Sequence, residues 1–281
     1  MMTFGGEPVE RGGRRLPGRP AIGVLAALVT LLVLLVYLAL PSRNFNGDGL
    51  GYAYQVESGS SSELWSISGR LLYCPVGRII HSSLATVGVQ TRSIYVMRTM
   101  NSLFGAIAAG IFTLLVYRLT NSRRLALIAA LGLAFSLAMW FWSVNVTSYP
   151  GYILFLVLSL SILLKLPDTT SSSGYHGRAA LLGVTFALTC YFWLTGIVLA
   201  PAVFFSVMLA PRTFRIGERL VAGIVHAAVF VVLFLLPIII AAIYAAEVTD
   251  LPGFFDWLAA GAHTSRPELT VANFIDRKSV V

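Results

Sequence analysis

Six apolar runs, at about 21–40, 100–117, 125–142, 151–165, 179–210 and 220–245, alternate with short polar segments. A helix needs about 20 apolar residues to cross a bilayer core of about 30 Å. The fifth run holds 32 residues without a charge. That is too long for one ordinary span, and Thr195-Gly196 near its middle offers a turn. The pattern therefore predicts a tight pair of short helices, about 179–194 and 196–210, and seven spans in all. The fold class is all-α and polytopic.

Two segments between the runs carry structure of their own. The first loop, about 41–95, is far longer than the connections of a helical bundle. It begins Gly- and Ser-rich, with Gly47, Gly49, Gly51 and then Ser58-Gly59-Ser60-Ser61-Ser62. This stretch reads as a flexible turn. Further on, Val76, Ile79, Ile80, Leu84 and Val87 recur at helical spacing, with Pro75 suited to a first turn. Arg78, His81, Ser82 and Gln90 fall opposite. The spacing predicts a helix lying in the outer membrane interface. The second segment, 143–150, is short. The stretch 166–178, with Asp168-Thr-Thr-Ser-Ser-Ser-Gly, reads as a plain flexible linker.

Composition agrees with embedding: 57% of residues are hydrophobic and 11% charged, against about 25% charged in soluble domains. The net charge of +8 does not point to nucleic acid, because the basic residues lie between the apolar runs rather than along a stripe. They report topology instead. With the N-terminus in the cytoplasm, the inner segments hold twelve basic and four acidic residues, and the outer segments eight of each. The positive-inside rule selects that orientation, in a bacterial inner membrane. Reading 179–210 as one span would put Arg212, Arg215 and Arg219 outside and is the weaker choice. The organisation is then a basic tail (1–20), a transmembrane domain (21–245) and an exterior tail (246–281). The first run is too long for a signal-peptide core and reads as a retained anchor. The tail stops at Asp276-Arg277-Lys278-Ser279-Val280-Val281 without a closing helix, which suggests a truncated product whose last residues are not native.

Candidate chemistry gathers on the outer side. Asp48, between two glycines, is either a turn former or a carboxylate serving as general base or cation ligand beside a lipid phosphate. Glu57 and Glu63 read as solvated. Arg70, Arg78, Arg92 and Arg98 suit either phosphate binding or snorkelling to headgroups. His81, His226 and His263 are weaker candidates; His226 lies within the last span. Trp140, Trp142, Tyr149 and Tyr152 flank the second exterior segment, as an interfacial belt or a surface on which a sugar ring stacks. Cys74 and Cys190 support neither a disulfide framework nor a metal site. No P-loop, Gly-Xaa-Ser-Xaa-Gly or dinucleotide fingerprint occurs.

Four stretches together resemble a known group. They are Asp48-Gly49-Leu50-Gly51-Tyr52-Ala53, Leu71-Leu72-Tyr73-Cys74-Pro75-Val76-Gly77, the block from Arg98-Thr99-Met100-Asn101-Ser102 through Trp140 and Trp142, and 183–201. The chain is similar there to the membrane glycosyltransferases of the C superfamily (GT-C), near their protein O-mannosyltransferase-like branch. The resemblance implies an acidic residue in the first exterior loop, at Asp48, acting in catalysis. It implies a polyprenyl-phosphate sugar as donor, an active site open to the outer leaflet, and membrane lipid as surroundings. Arg70, Arg98, Trp142 and Tyr149 are then expected to bind substrate, with a divalent metal as an option and no redox cofactor. A transporter or flippase of a lipid-linked substrate is the rival, although no internal repeat supports it.

Overall fold

The computed structural model describes residues 19–42, 47–65, 70–209 and 214–262. Among these no strand occurs, and the chain is helical throughout. The helices are α1 (Arg19–Ala39), α2 (Gly47–Ser58), α3 (Ser61–Trp65), α4 (Tyr73–Thr86), α5 (Ser93–Thr120), α6 (Arg123–Ala134), α7 (Leu137–Ser143), α8 (Tyr149–Leu163), α9 (Ser172–Phe192), α10 (Ala200–Leu209), α11 (Ile216–Ala245) and α12 (Leu251–Ala262), with a 3-10 turn over Leu194–Leu199. The expected N-terminal basic tail, His263 and the final residues of the chain lie outside the described residues.

Three helices, α1 from Ala21, α5 and α11, are long and apolar enough to cross a membrane. The pair α6 and α7 adds a fourth if taken as one span bent by 61°. The expected run at 125–142 is thus two helices. The expected run at 100–117 is the middle of a longer one. The run at 151–165 forms a helix of only 15 residues.

α5 is the centre of the bundle, with α1, α6 and α8 against it; α8 leads to α9, and α9 to α11. These seams need close backbone approach, because apolar side chains gain little by leaving lipid for one another. At the α1–α5 seam a Cβ on Gly110 would stand 2.0 Å from Thr30 Oγ1, and Ala106 and Ala109 are fully buried nearby. At the α9–α11 seam a Cβ on Gly183 would stand 2.8 Å from the His226 carbonyl oxygen. His226 is buried there, with Nδ1 3.3 Å from the Ala179 carbonyl oxygen and its ring stacked on Phe230. It is a packing residue between two helices.

The chain reverses direction after α9. The helix ends at Phe192, three residues before the anticipated Thr195-Gly196 turn, and α10 runs back. Tyr175, early in α9, donates its hydroxyl hydrogen to the carbonyl oxygen of Val207, late in α10. The supposed linker at 166–178 is a packed segment and the start of α9, not a flexible one. Leu166 and Tyr175 are fully buried, Arg178 donates to Thr169 Oγ1 at 2.6 Å, and Asp168 pairs with Arg118. The Ser-rich sequence is explained locally: the Ser171 hydroxyl accepts from Gly174 N–H and caps α9.

Charge separates along the bundle. The end holding the C-terminus of α5 carries Arg118, Arg123, Arg124, Lys165, Arg178, Arg215 and Arg219 against Asp168 and Glu218. The opposite end carries α2, α3, α4 and the connection between α7 and α8.

Candidate functional site

Asp48 lies on no flexible turn. It is the second residue of α2, where a carboxylate is favoured by the unpaired N–H groups of the first helical turn. The glycines that read as a turn are drawn into a helix because Tyr52 and Val56 bury against Tyr73, Gly77 and Met97. Tertiary packing overrides a weak local propensity. The other end of α2 is closed by Arg78, which donates to the carbonyl oxygens of Gln55 (3.0 Å) and Gly59 (2.6 Å).

The two neighbouring acids are exposed, as expected, and each also ties down a local element. Glu57 accepts from Ser93 Oγ at 2.9 Å and pairs with Arg92 at 3.2 Å, so it holds the first turn of α5. Glu63 accepts from Ser60 N–H at 2.7 Å while the Ser60 hydroxyl accepts from Glu63 N–H. That is the reciprocal capping box of α3. His81 meets the Thr91 carbonyl oxygen at 3.0 Å and pins α4 to the strand of chain entering α5.

α4 forms where the apolar spacing places it, with Pro75 in its first turn. Tyr73, Cys74, Pro75 and Gly77 pack inward. Of the apolar stripe, Val76 and Ile80 pack partly against the same cluster, while Ile79 and Val87 are 65% and 73% exposed.

Arg70 sits just before α4 and is 8% exposed. Its Nη1 lies 3.6 Å from Asp48 Oδ2, and the Asp48 side chain is half exposed. The guanidinium packs against two rings, with its carbon 4.7 Å from the Trp193 ring centre and 5.2 Å from that of Tyr52. Trp193 in turn lies 4.4 Å from the ring of Tyr149, and Tyr149 stacks on Trp142 at 4.4 Å. Arg70, Trp193, Tyr149 and Trp142 thus form one continuous stack, with Asp48 at its charged end. Burial lowers the Arg70 pKa from its ordinary value, and the Asp48 carboxylate opposes that shift.

A second layer fixes this wall. Asn101 of α5 is fully buried and its Nδ2 lies 2.7 Å from the carbonyl oxygens of both Asn145 and Thr147, and 2.9 Å from the Tyr73 hydroxyl. It ties the connection between α7 and α8 to the start of α4. Burial also raises the Tyr73 hydroxyl well above its usual range and pushes the Cys74 thiol up to about 12.

The sequence-derived candidates therefore divide. Asp48, Arg70, Tyr149 and Trp142 are brought together. Arg98 is used elsewhere: its Nη1 donates to the Ser42 carbonyl oxygen at 3.2 Å and its guanidinium lies over Tyr95. Trp140 packs edge-on against Tyr37 in the α1–α5–α6 core rather than joining the stack. Trp193 is the residue that sequence reasoning missed. Among the described residues no group of three His, Cys, Asp or Glu side chains is placed to hold a metal. Comparison with protein families, curated proteins and solved structures finds no match to this chain.

Proposed function

We propose that this chain is a membrane glycosyltransferase that moves a sugar from a polyprenyl-phosphate carrier to an acceptor hydroxyl at the outer face of the bacterial inner membrane. The observation that carries the reading is the Asp48–Arg70 pair at the end of a Trp193–Tyr149–Trp142 wall. A carboxylate, a guanidinium and an aromatic surface are the three groups such a transfer uses. The likeness of the loop and first helices to the C-superfamily enzymes is the second support.

In this reading the acceptor oxygen attacks the anomeric carbon of the donor sugar. The bond from that carbon to the phosphate oxygen breaks, and the phosphate leaves with the electron pair. Arg70 receives the charge that develops on the departing phosphate. Asp48 takes the proton from the acceptor hydroxyl. The aromatic rings offer apolar faces to the sugar, oriented by the packing of Tyr149 between Trp142 and Trp193.

The reading also includes seven membrane crossings, with α8 and the α9–α10 hairpin as short ones, α4 in the outer interface, and the N-terminus inside. The seven basic side chains at the far end of the bundle support that orientation.

The test is to replace Asp48 by Asn and assay transfer from a polyprenyl-phosphate sugar in membranes. A positioned general base contributes roughly 10²–10⁴ in rate, and a loss of that order is expected. Undiminished transfer removes Asp48 from the mechanism.

A further inference from the structure

We propose that Asp48 and the phosphate of the donor compete for the same guanidinium. The resting ion pair then keeps the carboxylate occupied, and donor binding releases it. The inference rests on the reading above and adds a regulatory contact to that site.

The two partners are not alike. Arg70 is nearly buried and its guanidinium packs against the rings of Tyr52 and Trp193, which restrict it. Asp48 is half exposed and sits at the start of a helix of 12 residues, where its side chain is free to turn away. The contact between them is long: 3.6 Å, against about 2.7–2.9 Å for a good charge-assisted bond. Among the described residues the guanidinium has no closer polar partner. The guanidinium carbon lies over both rings and Asp48 meets it at Nη1, so an incoming anion competes for that same nitrogen edge. A phosphate presents two oxygens to that edge and matches its fork, whereas Asp48 offers one long contact.

The consequence is an order of events. While Asp48 faces Arg70, its Oδ2 is turned to the guanidinium. Once a phosphate takes the guanidinium, the carboxylate loses that partner and its oxygens are open to an acceptor hydroxyl. The base is thereby readied only when a donor is in place.

The experiment measures binding of an isoprenyl monophosphate to the purified full chain in detergent micelles by phosphorus NMR, with inorganic phosphate as a separate arm. Asp48→Asn removes the competitor and should bind the isoprenyl phosphate about fivefold more tightly, the size expected from losing one half-exposed ion pair. In an Arg70→Gln background the same Asp48→Asn change should have no effect. Where Arg70→Gln does not fold, Arg70→Lys takes its place and should shrink the gain. Tightening with inorganic phosphate as well assigns the competition to the phosphate group alone. Tightening only with the isoprenyl phosphate assigns it to the lipid-borne form. Equal or weaker binding by Asp48→Asn overturns the proposal, as does a gain that persists undiminished without Arg70, which would reflect general charge removal. Transfer assays keep the two readings apart. Tighter binding with lost transfer supports both. Tighter binding with intact transfer removes Asp48 as base and leaves the competition standing. Unchanged binding with lost transfer overturns the competition alone.

Discussion

The side-chain amide of Asn101 reaches the carbonyl oxygen of Thr147 at 2.7 Å across 46 residues of sequence. With Asn145 and Tyr73 as its other partners, this one side chain joins a long central helix to both segments that frame the candidate site. Asn101→Leu keeps the volume and removes the donors. Two buried carbonyl groups would lose their partner, at a cost of about 2–4 kcal/mol. Thermal unfolding in detergent, followed by near-ultraviolet circular dichroism, should show the lower midpoint. An unchanged midpoint would mean that water replaces the amide there.

Trp193 packs against both the Arg70 guanidinium and the Tyr149 ring. Trp193→Leu should weaken donor binding about tenfold, since a desolvated cation–π contact contributes roughly 1–2 kcal/mol. Trp193→Phe, which keeps a ring, should recover most of it. Equal losses in the two variants would show that volume rather than the aromatic face matters.

Alkaline pH should destabilise the protein. In the folded chain burial pushes the Cys74 thiol up to about 12 from its ordinary 9.0 and raises Tyr73 well above 10.0. Folding therefore favours the protonated forms. Their contribution is complete below pH 9, where the unfolded thiol is also protonated, and is lost as pH rises from 9 through 12. Unfolding midpoints measured across that window should fall, and Cys74→Ser or Cys74→Ala should flatten the lower part of the decline. The same burial predicts that Cys74 stays unlabelled by maleimide at pH 8 until the protein is unfolded.

Two glycine-to-alanine changes should act in opposite directions. Gly183→Ala places a methyl group 2.8 Å from the backbone oxygen of His226 and forces α9 from α11; overpacking of this kind costs about 1–3 kcal/mol. Gly132→Ala, on α6 with nothing within 4 Å, should stabilise by up to about 1 kcal/mol through helix propensity. Unfolding midpoints of the two variants, compared side by side, check both signs.

Orientation is open to a labelling experiment. Ser62 and Asp168 are both exposed and lie at opposite ends of the bundle. In intact cells a membrane-impermeant maleimide should label Ser62→Cys and spare Asp168→Cys until the membrane is opened. The reverse pattern would invert the topology and place the candidate site inside.

The apolar runs located the long helices because hydrocarbon thickness sets a length that composition alone satisfies. α1, the core of α5 and α11 were legible for that reason. α2 was not, because Gly47, Gly49 and Gly51 favour a turn locally and become helical only against Tyr73, Gly77 and Met97. Glu57 and Glu63 read as solvated because their partners are a distant serine and a backbone group. The Ser60-Xaa-Xaa-Glu63 spacing was a usable capping signal. Asp48, Arg70, Trp142 and Tyr149 were named from residue type and side of the membrane, but nothing in the order of residues says that they touch. Trp193 read as one more aromatic in an apolar run. Its position at the corner of a helical hairpin was the available signal, and only the fold shows which cation that corner meets.

The length of α5 has a consequence for the depth at which the candidate site lies. Its 28 residues extend about 42 Å at 1.5 Å per residue, whereas the hydrocarbon core is about 30 Å deep. Arg118 and its carboxylate partner mark one boundary within the last turn. Measured from Arg118, an upright helix would overshoot the opposite boundary by about 8 Å, between one and two turns. Ser93 would fall within that overhang and Arg98 at its foot, with Asn101 just inside the core. The overhang acts as a mast: it lifts the first turn of the helix, which Glu57 holds, towards the depth at which headgroup phosphates lie.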